Sequence, residues 1–279
     1  MPVTCALLQL CSGRDVERNI AEASSLIRAA AAQGAQFVLT PEMTNVIEPD
    51  RPRLKSVVKP EDEDPGVAAF AACACELNVW LLIGSLALRG ENGKLVNRSL
   101  LFAPDGQRLA RYDKIHLFDV DLPTGERIRE SEAYCGGQAA PIVATPWGGL
   151  GLTICYDVRF PALYRQLAQQ GADFIAVPSA FTVPTGEAHW HVLLRARAVE
   201  TGAYVLAPAQ SGHHESGRRT YGHSLVVSPW GVIEADAGTE PGIVFAKLDR
   251  AAVDEARARI PAWREPDSAP LKAEKPVAS

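Results

Sequence analysis

Apolar residues along the chain follow two alternating rhythms. VTCALLQL (3–10) and QFVLT (36–40) are short, nearly continuous apolar runs, the pattern of buried strands. Between them Val16, Ile20, Ala23, Ile27 and Ala30 recur at spacings of four and three, which predicts an amphipathic helix stopping near Gly34. A helix over about 66–77 leads into the strand VWLLIGSLAL (79–88), and KLVNRSLLFAPDGQRLARYDK (94–114) predicts a hairpin turning at Pro104, Asp105 and Gly106. The second half echoes the first. Strand LGLTI (150–154) precedes a helix over 160–170, DFIAVPSAF (173–181) a helix over 186–201, and AYVLAPAQ (203–210) a hairpin, SLVVSPWGVIEADAG (224–238), turning at Pro229, Trp230 and Gly231. IVFAKLD (243–249) and a short helix over 250–259 close the pattern.

No short fixed period of the solenoid kind is present. The coarse two-fold echo predicts a layered α/β domain, two sheets covered by helices, rather than a single Rossmann sheet. A (β/α)₈ barrel is the alternative, and the two hairpins count against it because a barrel sets a helix after every strand. Residues 1–261 form one domain on this reading. The Pro-, Lys- and Ala-rich segment 262–279 is expected to be an extended tail.

Composition narrows the classes. The 279 residues are 47% hydrophobic and 22% charged, enough to build a sizeable core. A net charge of −5 argues against a nucleic-acid surface, which is ordinarily basic. No apolar run approaches the roughly 20 residues of a membrane span, and MPVTCALLQLCSGRD lacks the layout of a signal peptide. The six cysteines (5, 11, 73, 75, 135 and 155) are therefore expected to be reduced thiols in a cytoplasmic protein.

Positions two apart on a helix diverge, so neither Cys73 with Cys75 nor His189 with His191 can share a metal. No Cys/His set has zinc-ligand spacing, and no metal is expected. No P-loop or GxGxxG follows a predicted strand, so a nucleotide cofactor has no support. His213 and His214, in the polar stretch SGHHESGRR, are expected on a solvated loop.

Three strand exits are more informative. Glu42 follows QFVLT in TPEM, Lys114 leaves the first hairpin in RYDKIHLFD, and Cys155 ends LGLTI in GLTICYDVRFP. Singly they admit a capping carboxylate, a snorkelling lysine and a packed thiol. Together, and beyond the carboxyl ends of strands where α/β proteins bind ligands, they supply a base, a cation and a nucleophile. The ammonium would lower the thiol's pKa, and with the backbone N–H of Tyr156 it would hold an oxyanion.

These three motifs, in this order, resemble the nitrilase (carbon–nitrogen hydrolase) superfamily, and the likeness runs from VTCALLQL to the helix before Pro261. The resemblance implies a four-layer αββα sandwich and a catalytic set of Glu42 as base, Lys114, and Cys155 as nucleophile. A second glutamate after the lysine is assigned to Glu130, with Glu132 the competitor. Tyr156, Arg159, Phe181 and Thr182 are expected to bind substrate, although Arg159 has the alternative of pairing with Asp157. The segment 181–231, through AHW, LLRARA, HHE and YGHS, is similar to amidases acting on ω-amides of 2-oxo acids, foremost the deaminated-glutathione amidase branch. HLFDVDLP leans to the ω-amidase branch that cleaves 2-oxoglutaramate, and nitrile or N-carbamoyl hydrolysis would use the same three groups. The resemblance implies a small amide substrate, no organic cofactor, and a homodimer or larger homo-oligomer.

Overall fold

The computed structural model describes residues 2–121, 125 and 127–265. The expected tail lies outside them from residue 266 onward. Strands and helices are numbered below in chain order. In β1 (Val3–Gln9) the alternation of the strand divides two cores: Val3, Cys5 and Leu7 face one, Ala6 and Leu8 the other. The same division recurs in β2 (Phe37–Leu39), β3 (Trp80–Arg89) and β4 (Leu95–Phe102). There Phe37, Leu39, Leu82 and Leu101 face inward and Val38, Leu81, Ile83 and Leu100 outward. With β5 (Arg108–Asp113) and β16 (Gly242–Leu248) these strands form a six-stranded sheet in the order β16-β1-β2-β3-β4-β5. Its centre, β1-β2-β3, is parallel, and both outer faces of that centre are buried, as parallel strands require.

A second six-stranded sheet packs on the first. It comprises β8 (Ile142–Thr145), β9 (Gly148–Leu152), β10 (Ala172–Ala176), β11 (Tyr204–Ala207), β14 (Leu225–Val227) and β15 (Ile233–Asp236), in the order β15-β14-β11-β10-β9-β8. Trp147, in the β8–β9 turn, lies 5.4 Å from Phe37 and 5.3 Å from Trp80 by ring centroids, an aromatic clamp between the sheets. Helices α1 (Val16–Ala32) and α3 (Pro65–Leu77) cover the first sheet; α4 (Pro161–Gln169) and α6 (His191–Thr201) cover the second. The result is the expected αββα sandwich. The face of α1 that is buried is the predicted one, Ile20, Ala23, Ile27 and Ala30. Its start is fixed by Asp15, which accepts from the Arg18 N–H at 3.1 Å.

Several elements differ from the sequence reading. β10 stops at Ala176, not at residue 181, because Pro178 has no N–H to donate and the chain turns out of the sheet. The hairpin β8–β9, the short helices α2 (Arg51–Val57) and α5 (Val183–Thr185), and two ribbons were not foreseen. The ribbons are β6 (Asp119–Asp121) with β7 (Arg127–Arg129), and β12 (Ser211–His213) with β13 (Arg219–Tyr221). They are three residues per strand and largely polar, too short for a periodic signal. After α7 (Arg250–Arg259), Pro261–Arg264 form a 3₁₀ turn, and Arg165 of α4 donates to the carbonyls of Ala262 and Glu265. No helix among the described residues is long and apolar enough to cross a membrane.

Candidate active site

The carboxyl end of β2 is held with unusual completeness. Thr40 Oγ1 accepts from the Gly84 N–H, Thr44 donates to the Pro41 carbonyl, and Gln210 Nε2 donates to the Glu42 carbonyl at 3.0 Å. β3 passes so close that a Cβ on Gly84 would overlap the Thr40 and Pro41 carbonyls and Pro178, so this position admits only glycine. Glu42 is thereby carried on a rigid corner and its side chain is buried.

Lys114 follows β5 directly. Its amide donates to the Asn97 carbonyl, and its Nζ lies 2.9 Å from Glu42 Oε1 and 2.9 Å from Glu130 Oε2. Asn97 Nδ2 donates to both carboxylates, at 2.8 Å to Glu42 and 3.3 Å to Glu130, and the Phe118 N–H donates to Glu130 Oε2 at 2.6 Å. Glu132 sits outside this group, exposed and ion-paired to Arg51, so of the two glutamates in RIRESEAY it is Glu130 that meets the lysine.

Cys155 lies three residues beyond the end of β9 and opens the 3₁₀ turn Cys155–Arg159 with φ of 49°, a left-handed conformation that a non-glycine residue adopts only under constraint. The constraint is Asp157. Its buried carboxylate accepts from the Ile154 N–H (2.9 Å), the His116 N–H (3.0 Å) and the Tyr112 hydroxyl (2.6 Å), with His116 Nδ1 at 2.7 Å. Tyr112 and His116 flank Lys114, so one carboxylate staples the cysteine turn to the lysine segment. The expected Asp157–Arg159 pair is absent. Arg159 instead turns to His189 Nδ1 (3.3 Å) and lies over the Tyr156 and Phe181 rings at 5.8 and 5.5 Å. It is not part of the cleft lining described below.

The charges follow from this packing. Burial alone would neutralise Lys114, but the Glu130 and Glu42 carboxylates hold its pKa well above the ordinary value, so it stays an ammonium. Burial likewise works to raise Glu42, and the charge and hydrogen bond of Lys114 outweigh it, leaving a carboxylate. Cys155 goes the other way from the sequence expectation. Burial and then the Glu42 charge raise its pKa; Lys114 opposes them without winning. The resting group is a thiol.

These groups floor a cleft of about 780 Å³. Tyr156, Phe181 and Thr182 line it, and Phe118 packs edge-on against Tyr156 at 5.1 Å. Five arginines also line it: Arg51, Arg127, Arg129, Arg218 and Arg219. Arg218 donates to the Ala180 carbonyl at 2.7 Å and is near enough to Glu42 to help lower its pKa. Sequence reasoning missed Arg218 and Asn97. The available signals were an unpaired-looking polar residue inside the apolar strand LVNRSLL and a double arginine following the histidine loop.

That loop is split in function. His213 is exposed, whereas His214 is buried between Ser12 O, 2.8 Å from Nδ1, and Thr220 Oγ1, 2.7 Å from Nε2. A carbonyl can only accept, so Nδ1 carries the proton, and burial keeps the ring neutral, with Nε2 left to accept from the threonine hydroxyl. Burial pushes the His214 pKa down from 6.5 to about 4. Because the unfolded chain then binds more protons between these two values, stability falls as the pH drops from 6.5 to about 4. The loss amounts to up to about 3 kcal/mol. Thermal melts over this range should show a flatter pH dependence for His214→Gln than for the parent; parallel curves would contradict the neutral buried ring.

The chain is similar to known proteins over most of its length. The carbon-nitrogen hydrolase family model matches residues 4–258. A deaminated glutathione amidase from Synechocystis is 42% identical over 264 residues, 93% of this chain and 96% of the relative. The deaminated glutathione amidase of Mus musculus is 38% identical, over 94% of this chain and 83% of its own length. Among solved structures, Nit3 of Saccharomyces cerevisiae, a member of branch 10 of the nitrilase superfamily, superposes with a TM-score of 0.84 at 31% identity, covering 93% of this chain and 94% of that one.

Proposed function

This chain belongs to the carbon–nitrogen hydrolase family, and on that premise we propose that it is an amidase cleaving 2-oxoglutaramate-type amides, deaminated glutathione foremost, through a thioester on Cys155. The observation that carries the reading is the buried Glu42–Lys114–Glu130 ion chain set against Cys155 beneath an arginine-lined cleft. Deaminated glutathione joins a 2-oxoglutaramate-like head to cysteinylglycine and bears a carboxylate at each end, which suits Arg218 and Arg219, while Arg51, Arg127 and Arg129 are held by Glu132 and Asp121. The names of the relatives point to the same substrate.

In the cycle, the Cys155 sulfur attacks the amide carbon while Glu42 takes the thiol proton. Since the thiol pKa is raised and the carboxylate pKa lowered, this transfer is uphill at rest. It becomes favourable as negative charge passes to the carbonyl oxygen, where Lys114 and the Tyr156 N–H receive it. Glu42 then protonates the departing nitrogen, the C–N bond breaks, and cysteinylglycine leaves a thioester behind. Glu42 next deprotonates a water that attacks the thioester carbon, 2-oxoglutarate departs, and the sulfur regains its proton. Glu130 positions Lys114, and Arg218 is assigned to a substrate carboxylate. Arg159 acts by supporting Tyr156 and Phe181.

Exposed Val192 and Val199 on α6, with Trp230 and Val232 in the neighbouring turn, offer an apolar face for a second copy of the chain. Six free thiols suit a reducing cytoplasm.

The deciding assay compares kcat/KM for deaminated glutathione, 2-oxoglutaramate, a simple nitrile and an N-carbamoyl amino acid. Deaminated glutathione is expected to exceed 2-oxoglutaramate by about tenfold or more, the worth of one added charged hydrogen bond. A nitrile or carbamoyl substrate at the head of the series would overturn the assignment.

A further inference from the structure

Outside the cleft lining, three side chains from separate elements converge. His191 opens α6, His223 lies two residues before β14, and Asp236 ends β15. His191 Nε2 lies 3.3 Å from Asp236 Oδ2, His223 Nδ1 lies 2.9 Å from Asp236 Oδ1, and one ligand atom from each residue falls within 4.8 Å of the others. We propose that His191, His223 and Asp236 form a binding site for a divalent transition metal of the zinc type, separate from the thiol chemistry.

The donor set is the first reason. Two imidazoles and a carboxylate suit zinc and its neighbours, and three protein ligands leave a fourth position for water. The spacing is the second. Tetrahedral bonds of about 2.0–2.2 Å set the donors roughly 3.3–3.5 Å apart. To the single oxygen Asp236 Oδ2 the two imidazole nitrogens stand at 3.3 and 3.1 Å, close to that range, and all three ligand atoms lie within 4.8 Å of one another.

The third reason is support from behind. The Trp190 indole, fully buried beside His191, donates to the His223 carbonyl at 2.8 Å, and the His223 N–H donates to the Gly238 carbonyl at 2.7 Å. Asp236 Oδ1 also accepts from the Gly238 N–H at 2.8 Å, and the Tyr221 ring stacks on His223 at 4.6 Å. The backbone of His223 and the carboxylate of Asp236 are thus held by groups that are not themselves ligands, and outer partners of that kind fix ligands in metal sites, while His191 is placed by the start of α6. The three side chains remain partly exposed, so an ion can enter. A simpler role, Asp236 accepting from two imidazoles, uses the same contacts but predicts no metal affinity.

Sequence spacing could not reveal this set, whose members stand at 191, 223 and 236 with no local motif. Bound metal would clasp α6, β14 and β15. Its link to the cleft runs through Tyr221, whose N–H donates to the Phe181 carbonyl, so the expected effect is on stability rather than on the reacting groups.

The test titrates Zn²⁺ and Co²⁺ into the Cys155→Ala protein, which removes the reactive thiol as a competing ligand. Calorimetry should find one equivalent bound, melts should shift upward with added metal, and the Co²⁺ spectrum should show ligand-field bands without sulfur charge transfer. His191→Ala and Asp236→Asn should each weaken binding by about 100-fold or more, since loss of an outer partner alone costs 10–100-fold. His223→Asn, which tolerates the left-handed backbone, serves as the third variant. Failure to bind one equivalent, affinity unchanged in His191→Ala and Asp236→Asn, or a sulfur charge-transfer band would each overturn the site.

Discussion

Cys155→Ala should be folded and without measurable amidase turnover, a loss of about 10⁴-fold or more. The size follows from the covalent step: no other thiol lines the cleft, so without this sulfur no thioester forms. Folding should survive because the change removes one atom at a site where burial already disfavours the charged form. The left-handed backbone at φ 49° is no worse for alanine than for cysteine, both having an ordinary Cβ. Kinetics with deaminated glutathione, near-UV circular dichroism and a denaturant titration check the two halves of the expectation. Retained turnover sinks the thioester mechanism; a folded, inactive protein supports it.

Lys114→Met should fail on two counts. Activity should fall by at least about 10³-fold, since the oxyanion loses the ammonium that stabilises it. Stability should fall as well, by about 3–5 kcal/mol, because Glu42 and Glu130 would remain buried without the charge that balances them. The pH dependence identifies the cause. With the ammonium gone, burial is left to raise the Glu42 pKa above its unfolded value, so the folded state binds more protons. Stability relative to the parent should therefore decline as the pH rises from about 5 to 8 and partly recover on acidification. Denaturant titrations at the two pH values measure this. A pH-independent difference would mean that the lysine contributes packing rather than charge.

The layered architecture and the three strand exits were legible because they depend on local signals. At Glu42 and Cys155 an apolar run ends and the reactive residue follows within two positions, while Lys114 leaves the polar, largely exposed strand β5. The position of Glu130 beside the lysine, in preference to Glu132, required the fold, because two residues apart on one turn lead in opposite directions. Asp157 misled for a similar reason. Its near neighbour Arg159 looked like a partner, yet a fully buried carboxylate draws its donors from whatever packs on it, here Tyr112 and His116, more than forty residues upstream. The direction of the Cys155 pKa was also hidden. A cation nearby can be inferred from a motif, but the extent of burial and the facing carboxylate that outweigh it are properties of the assembled sandwich.

Pairing of β1 with β16 has a consequence for biosynthesis. The first sheet is bounded on one side by β16, the last strand among the described residues, which joins residues 3–9 to residues 242–248 in antiparallel register. During vectorial translation at about 5–20 residues per second, the N-terminal strand emerges on the order of ten seconds or more before its partner exists. Throughout that interval one backbone edge of an apolar, parallel sheet stands open, the configuration most prone to pairing with a neighbouring nascent chain. That side of β1 is covered only once residues 242–248 have emerged, and β16 then becomes the antiparallel edge strand of the sheet.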